Sequence, residues 1–357
     1  MNHVRQCMQD AVGQGVFPGA VLLVAENDHM VLLEAFGQAR LYPSERPMRV
    51  DTVFDLASLT KPLATTLSAM ILVQNGAIEL DQKLAEVISD FTPTEKRNIT
   101  IRELLSHASG LPAYRPFYEE LRDLGRTQAK RALRQKLLDE PLAYEPGGTC
   151  LYSDLGFMIL EWAIEVASGR KLNEFTSEEV YTPFGLHSLF FNALPRRKKA
   201  PYAATEDCPW RGKILEGEVH DDNAYVVGGV AGHAGLFGTA QSVYRLLLVL
   251  LHTYRGTLRD GIFSPETVEA FFTRQYPSHT WALGFDTPSP SDSSSGRHFS
   301  ERSVGHLGFT GTSFWMDLDK QVVVVLLTNR VHPGRNNDRI KRFRPLLHDT
   351  VMKTLQA

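Results

Sequence analysis

Runs of apolar residues, many of them β-branched, lie near both ends of this chain and constrain its fold more than any other feature. Near the amino end, residues 21–25 and 30–33 flank a polar four-residue segment, which predicts two strands joined by a tight turn. Near the carboxyl end, residues 314–317 and 322–327 predict a second hairpin. Because such residues fit best in a sheet, we expect one sheet assembled from both chain ends.

The residues between these two hairpins show helical rather than strand periodicity. Apolar positions recur at helical spacing in five segments and in a final one near the carboxyl end, namely residues 63–71, 101–105, 121–138, 157–167, 243–251 and 339–355. Separate blocks of strands and helices favour an α+β fold over alternating βαβ units. We therefore predict a sheet domain from residues 1–65 and 275–357, an inserted helical domain from residues 66–274, and an active site in the cleft between them.

Length and charge narrow the class of partner. The 357 residues exceed one ordinary domain, and 43% hydrophobic with 22% charged residues is typical of a globular protein. The 38 basic and 41 acidic residues give a net charge of −3, which provides no electrostatic footprint for nucleic acid. We therefore expect a small-molecule partner and no nucleic-acid partner.

Cysteine usage and the apolar runs bear on location. Cys7, Cys150 and Cys208 show neither disulfide nor zinc spacing, which indicates a reducing compartment. Residues 1–14 lack the apolar core and cleavage site of a secretory signal, and no apolar run reaches the roughly 18–20 residues that cross a bilayer. These features predict a cytoplasmic protein without a membrane partner, or a periplasmic one if a leader has been removed. They leave the oligomeric state open.

Residues 288–296 form a low-complexity segment rich in serine and proline. The segment lacks apolar side chains with which to pack. We therefore expect a mobile surface loop between strands.

A serine and a lysine three residues apart, Ser58 and Lys61, open the first helical pattern. A serine in the first turn of a helix faces the positive end of the helix dipole, which stabilises an oxyanion formed beside it. A lysine one turn later can accept the serine proton if burial or a cationic neighbour lowers its pKa. The pair therefore predicts an activated nucleophile. Ser168 and Lys171 share the spacing but straddle Gly169, where a helical pattern stops, so we exclude them.

Two later segments carry groups that suit acyl transfer. Tyr152 and Asp154 lie just before a helical pattern, where a phenol can relay a proton and a carboxylate can hold a lysine or a substrate. His306 and Gly308 precede the strand at 314–317, and glycine lets a ligand approach the strand edge closely. A backbone N–H at this edge is expected to complete an oxyanion hole with that of Ser58.

Three motifs of the class C β-lactamase-like serine hydrolases, the penicillin-recognising superfamily, resemble segments of this chain in the same order: Ser58-Leu-Thr-Lys61, Tyr152-Ser-Asp154 and His306-Leu-Gly308. Segments 104–112 and 228–237 are also similar to stretches common in that family. The resemblance spans nearly the whole chain. It implies a β-lactamase/transpeptidase-like fold, with an antiparallel sheet flanked by helices and an inserted, mostly helical domain, and it implies neither a metal nor a cofactor.

The resemblance also implies catalytic roles. Ser58 is implied as the nucleophile that forms an acyl-enzyme, and Lys61 with Tyr152 as its base. The N–H groups of Ser58 and Phe309 are implied as the oxyanion hole.

Two residues of these motifs, Asp154 and His306, depart from the family pattern. The resemblance implies Asp154, His306 and Gly308 as substrate-binding residues. Asp154 stands where many members have asparagine, and His306 stands in place of a lysine, which weakens the fixed positive charge near neutral pH. Both departures disfavour efficient β-lactam hydrolysis and are common in the esterase and peptidase branches.

The segment at residues 217–224, which contains an Asp-Asp-Asn run, is similar to that of a branch that acts on cell-wall fragments. This branch includes penicillin-binding-protein-4B-like proteins and an exo-acting muramoyl-alanine amidase. That similarity implies pocket-lining, substrate-binding roles for His220, Asp221, Asn223 and, downstream, His233. An ordinary role in turns and helix capping remains open for the Asp-Asp-Asn run. A metal site at His220 and Asp221 lacks a further ligand group at a usable spacing, so we predict none.

Taken together, these residues predict a serine hydrolase that cleaves a carboxylic ester or amide through a Ser58 acyl-enzyme. Its substrate is expected to be a small ester, amide or β-lactam, and carboxylesterase, β-lactamase, D-amino-acid peptidase and muramoyl-peptide amidase activities all remain open. A non-catalytic penicillin-binding or ligand-binding sensor with the same fold is the alternative of another class. The intact set of Ser58, Lys61 and Tyr152 argues against the sensor.

Overall fold

The computed structural model describes residues 1–194, 198–258 and 261–356. Its strands form a six-stranded, a three-stranded and a two-stranded sheet. In chain order the strands are β1 (Gly19–Glu26), β2 (His29–Arg40), β3 (Arg46–Pro47), β4 (Phe54–Asp55), β5 (Phe190–Phe191), β6 (Ala204–Cys208), β7 (Lys213–Glu216), β8 (Leu236–Gly238), β9 (Ser303–Leu307), β10 (Ser313–Asp317) and β11 (Val322–Thr328).

The six-stranded sheet joins the two ends of the chain. Its strand order is β3-β2-β1-β11-β10-β9, and every neighbouring pair is antiparallel. At its centre β1 pairs with β11, from Ala20 opposite Thr328 to Glu26 opposite Val322. Both predicted hairpins and the predicted α+β class with an antiparallel sheet are confirmed.

Most of the helices lie between the two hairpins along the chain, and others flank the sheet. In chain order they are α1 (Asn2–Gly13), α2 (Leu67–Gln74), α3 (Leu84–Val87), α4 (Ile101–Leu105), α5 (Tyr118–Leu121), α6 (Arg126–Asp139), α7 (Asp154–Ser168), α8 (Leu172–Phe175), α9 (Asp222–Val226), α10 (Ala240–Tyr254), α11 (Pro265–Phe272) and α12 (Ile340–Gln356). Every segment predicted to be helical contains a helix. Across the part of the chain that is described, no helix combines the length and the apolar character that spanning a membrane requires.

Both faces of the sheet are covered, which explains the uninterrupted apolar run in β1. Leu22 and Val24 face α1 and α12, whereas Val21 and Leu23 belong to the larger core shared with α10. Successive side chains of a strand point to opposite faces. A strand buried on both faces therefore needs apolar residues at every position.

The helical region packs around α7. Residues 155–164 of this helix are all buried, and α2 and α4 lie against it. Helix α10 also lies within the predicted insertion, but it packs against β1 and β11 of the sheet, and its Tyr244 hydroxyl donates a hydrogen bond to the Asp28 carbonyl at 3.2 Å. The domain division at residues 65/66 and 274/275 stays a prediction.

The serine-rich segment 288–296 packs against α12. Ser295 is fully buried, and its hydroxyl lies 2.7 Å from that of Ser293. The Ser294 carbonyl lies 2.7 Å from Nδ1 of His348 on α12. The expectation that this segment has nothing to pack with is wrong, because small side chains allow close approach and their hydroxyls satisfy one another.

We expect Asn329→Ala to destabilise the sheet where the chain ends meet. The buried Asn329 side chain accepts the Gly19 N–H at 2.9 Å and donates to the Gln38 and Ala39 carbonyls, both at 3.2 Å. Its loss leaves these backbone groups without a side-chain partner and should lower the free energy of unfolding by about 2–4 kcal/mol. Urea unfolding measures the change. Asn336→Ala, at an exposed position, is the control, and equal stability of the two variants would contradict the prediction.

Candidate active site

Ser58 lies in a strained turn that follows β4. The turn is a 3₁₀ segment at Ala57–Leu59, and a π-helical segment, Lys61–Thr66, continues from it. Ala57 has a φ of 48°, a left-handed conformation that is costly for a residue with a side chain. The Asp55 carboxylate holds the turn by accepting the Ala57 N–H at 2.9 Å. The backbone before Ser58 is therefore fixed by a buried side chain.

The Lys61 side chain is the hub of the site. It is fully buried, and its Nζ donates to Ser58 Oγ at 3.0 Å, to the Tyr152 hydroxyl at 2.7 Å and to Asp154 Oδ1 at 2.7 Å. The His233 carbonyl lies 3.5 Å from the same nitrogen. Three residues that the sequence places in two motifs therefore converge on one ammonium group.

The charge of Lys61 follows from these partners. Burial lowers the pKa of Lys61, but the Asp154 carboxylate and the Tyr152 hydroxyl outweigh burial, so the pKa is raised. Lys61 is therefore an ammonium in the resting protein. The lowered pKa that would make Lys61 a ready base is not met, because the Asp154 carboxylate is its hydrogen-bond partner.

Tyr152 and Asp154 are positioned by the start of α7. Ser153 caps this helix, since its Oγ accepts the Gly156 N–H at 3.3 Å and donates to the Pro112 carbonyl at 2.7 Å. Burial raises the pKa of Tyr152 more than Lys61 lowers it, so the phenol is protonated at rest. Tyr152 and Asp154 thus reach Lys61 from the two positions on either side of the capping residue Ser153.

His306 and Gly308 lie at the end of β9. Burial and the positive charge of Lys61 lower the pKa of His306 to about 3, so the imidazole is neutral. A Cβ on Gly308 would lie 2.0 Å from the Thr312 Oγ1 and 2.8 Å from the Leu56 carbonyl. Only glycine therefore allows this strand end to approach the turn that carries Ser58.

Two side-chain hydrogen bonds hold the strand end close to the turn that carries Ser58. The Thr310 hydroxyl donates to the Asp55 carbonyl at 2.8 Å, and the Thr312 hydroxyl donates to the Leu56 carbonyl at 3.0 Å. The segment that contains Phe309 is thereby tied to the backbone just before Ser58. An oxyanion hole formed by the N–H groups of Ser58 and Phe309 stays a prediction.

His220, Asp221 and His233 lie near these groups and take part in two histidine–carboxylate pairs. His233 Nε2 lies 2.9 Å from Asp221 Oδ1, and His220 Nε2 lies 3.2 Å from Glu206 Oε2. The His220 ring also stacks on Phe309, with the ring centroids 5.6 Å apart. Within the described residues, no three histidine, cysteine or acidic side chains gather as metal ligands would.

Asn223 does not line the cavity. Its amide accepts the Tyr118 N–H at 2.8 Å and donates to the Arg115 carbonyl at 2.8 Å. The substrate-binding role implied for Asn223 stays a prediction, which these two hydrogen bonds do not support. The residue instead fastens the start of α9 to the segment before α5.

A cavity of about 880 Å³ connects these groups. Ser58, Tyr152, Asp154, His220, Asp221, His233, His306, Gly308 and Phe309 all line it. Sequence reasoning missed several further lining residues, which come from loops and from α12: Tyr114, Trp281, Asp286, Arg330, Arg335 and Arg344. None of them carries a local motif, so only the fold shows that they face the site.

Two of the missed residues are arginines with no acidic side chain within ion-pair distance among the described residues. Arg344 on α12 is 5% exposed and donates to the Gly308 carbonyl at 3.2 Å and the Thr312 carbonyl at 2.8 Å. Burial and the charge of nearby Arg330 lower the pKa of Arg344 to about 9. Neither arginine forms an ion pair with any described residue, although the Asp338 carboxylate is near enough to Arg330 to raise its pKa against the larger effect of burial. Arg335, by contrast, is paired with Glu206. The two arginines therefore give this wall of the cavity more positive charge than the one nearby carboxylate offsets.

Comparison with known proteins gives a family and close relatives. A family model described as Beta-lactamase matches residues 4–348. The N-acetylmuramyl-L-alanine amidase of Bacillus subtilis (strain 168) is 32% identical over 361 residues, which cover 93% of this chain and 81% of that protein. A putative D-alanyl-D-alanine carboxypeptidase of Escherichia coli (strain K12) is 31% identical over 365 residues, which cover 93% of this chain and 82% of that protein.

Solved structures share the fold over the whole chain. EstCE1, a hydrolase with promiscuous acyltransferase activity, superposes with a TM-score of 0.77 at 23% identity and covers 98% of each chain. The octameric penicillin-binding protein homologue from Pyrococcus abyssi superposes with a TM-score of 0.75 at 18% identity, covering 97% of this chain and 77% of that one. The predicted β-lactamase/transpeptidase-like fold is confirmed.

We expect Asp154→Asn to lower kcat/KM at neutral pH and to give the variant a pH–rate limb that belongs to Lys61. The Asp154 carboxylate raises the pKa of Lys61 and lies within reach to take a proton from it. Without that carboxylate, Lys61 loses its proton at lower pH but must itself be neutral to accept the serine proton, so kcat/KM of the variant should rise about tenfold per pH unit below the lowered pKa of Lys61. Asp338→Asn, which removes an exposed carboxylate of the same cavity, should keep the wild-type profile. A wild-type profile in Asp154→Asn would show that the Asp154 carboxylate neither takes the proton nor sets the charge of Lys61.

Proposed function

Since the chain belongs to the beta-lactamase family and is a serine hydrolase, we propose that it is an amidase that acts on muramoyl-peptide cell-wall fragments, with Ser58 as its nucleophile. Two of its relatives are named for amide bonds of muramyl and D-alanyl compounds. The observation that carries the proposal is the positively charged wall formed by Arg330 and Arg344 beside the Gly308 edge.

A buried guanidinium group without an acidic partner is costly unless a ligand supplies the opposite charge. The carboxylate of an amino acid or short peptide meets this requirement, because it can accept two parallel hydrogen bonds from arginine. An uncharged short-chain ester does not. The charge of the cavity wall therefore supports a substrate whose amide-linked portion ends in a carboxylate.

The acylation step uses the hydrogen bonds around Lys61. Ser58 Oγ attacks the amide carbonyl carbon, and the serine proton passes to Lys61 Nζ as Lys61 gives a proton to Asp154 Oδ1. The C–N bond of the tetrahedral intermediate then breaks. The leaving amine takes a proton from the Tyr152 hydroxyl, which regains one from Lys61, and Asp154 returns its proton to Lys61.

Deacylation repeats this path with water in place of Ser58. The water attacks the ester carbonyl and gives its proton through Tyr152 and Lys61 to Asp154. The C–O bond to Ser58 breaks, and Ser58 Oγ recovers a proton from Lys61. The amide N–H groups of Ser58 and Phe309 stabilise the oxyanion in both steps, which is worth about 3–4 kcal/mol for one such donor in other hydrolases.

We expect the protein to release L-alanine from N-acetylmuramoyl-L-alanine. The rate should fall at least tenfold for the matching L-alaninamide, because the uncharged amide cannot pair with the arginines. Amine release measured by chromatography gives kcat/KM for both compounds, and Ser58→Ala is the control that removes the nucleophile.

The outcomes separate the alternatives. Equal rates on the acid and the amide would contradict the carboxylate argument. Cleavage of D-alanyl-D-alanine peptides alone would contradict the muramoyl assignment and support a carboxypeptidase. Turnover in Ser58→Ala would exclude Ser58 as the nucleophile.

We expect Arg344→Gln to raise KM for the carboxylate substrate about 10- to 100-fold, because a charge-assisted hydrogen bond is worth about 1.5–3 kcal/mol. Its kcat/KM for p-nitrophenyl acetate, which has no carboxylate, should stay within about threefold. Lys341→Gln removes an exposed cation that pairs loosely with Asp338 at 3.6 Å and is the matched control. A parallel loss on both substrates would mean that Arg344 only supports the Gly308 edge.

A further inference from the structure

The chemistry proposed above does not use His107, although this residue lies directly behind Tyr152. The two ring centroids are 4.6 Å apart at an angle of 40°. The imidazole also contacts the rings of Trp281, at 4.5 Å, and Phe157, at 5.2 Å. His107 is 1% exposed, so its ring is buried among these aromatic side chains.

His107 also holds the backbone on both sides of Tyr152. Its carbonyl accepts the Leu151 N–H at 2.9 Å, and its Nδ1 accepts the Ser153 N–H at 3.1 Å. The two amides that flank Tyr152 are thus bound by one residue, through its main chain and its side chain. Such a double contact leaves the Tyr152 backbone little freedom to shift relative to His107.

The second of these hydrogen bonds requires one form of the imidazole. Because Nδ1 accepts an N–H, the proton of the neutral ring must be on Nε2, and a doubly protonated ring would set two donors against each other. Burial, followed by the positive charge of Lys61, holds the pKa of His107 well below its usual range. The backbone of His107 has a φ of 59°, so this arrangement is kept at a cost in strain.

We propose that His107 is a positioning residue that keeps the Tyr152 hydroxyl within hydrogen-bond reach of Lys61, by accepting the amides on either side of Tyr152 and packing behind its ring. The inference rests on the proton-transfer role proposed for Tyr152. A shift of about 1 Å in a catalytic group can cost about a hundredfold in rate. The Tyr152 hydroxyl is 2.7 Å from Lys61 Nζ, so even a small displacement would break the path.

Substitutions at this position can separate the acceptor from the ring. In His107→Asn the amide oxygen takes the place of Nδ1, and asparagine tolerates a positive φ. In His107→Phe the ring is kept but the acceptor is lost, and His107→Ala removes both. Hydrolysis of p-nitrophenyl acetate is the assay, because it does not depend on the muramoyl-peptide assignment.

We expect His107→Ala and His107→Phe to lower kcat about 100-fold with KM changed less than threefold. His107→Asn should recover at least tenfold of this loss. His348→Ala is the matched control, because His348 is also a fully buried, neutral histidine whose Nδ1 contacts a loop, but it lies on α12 away from Tyr152. It should lose stability in urea without a comparable loss of kcat.

A double-mutant cycle with Tyr152→Phe distinguishes this inference from the proposed function. If Tyr152→Phe lowers kcat to a measurable residual rate and His107→Ala lowers it no further in that background, the two residues act as one unit, as proposed. If Tyr152→Phe is inactive while folded His107→Asn and His107→Phe both keep wild-type kcat, the positioning role is wrong. If Tyr152→Phe itself keeps full activity, the proton-transfer role of Tyr152 is wrong, and the inference about His107 falls with it.

Discussion

An ammonium group at zero exposure cannot be left unpaired, because the cost of removing it from water exceeds any single hydrogen bond. Lys61 meets this requirement with a carboxylate, a phenol and the serine hydroxyl, all within 3.0 Å. The turn after β4 and the start of α7 therefore have to meet at one point. The same nitrogen also lies 3.5 Å from the His233 carbonyl, and His233 is paired in turn with Asp221.

The six-stranded sheet provides the His306 and Gly308 side of the site, and the position of that side depends on the pairing of β1 with β11. That pairing sets β10 and β9 beside the amino-terminal hairpin, and Thr310 and Thr312 then tie the connection between them to the turn before Ser58. Ser58, the proposed nucleophile, and Phe309, its predicted partner in the oxyanion hole, thus come from opposite ends of the chain. A cleft between helices and sheet edge is the usual place for a small-molecule site.

Motifs made the core of the site predictable from sequence. Ser58 with Lys61, Tyr152 with Asp154, and His306 with Gly308 are each short-range patterns, and the strand and helix periods placed them on the right elements. The protonation of Lys61 was not predictable, because it depends on Asp154, which is 93 residues away. Arg344 and Glu206 carry no pattern at all, and their nearness to the site depends on how α12 and β6 pack.

The central pairing also has a consequence for how the protein is made. Strand β1 leaves the ribosome about 300 residues before β11, and at roughly 5–20 residues per second this interval lasts about 15–60 s. During that time β1 has β2 as a partner on one edge, and its other edge is unpaired and apolar. An unpaired edge of this kind recruits strands from other chains. The nascent protein is therefore most exposed to aggregation before its last hairpin emerges, and chaperone demand should be concentrated in that interval.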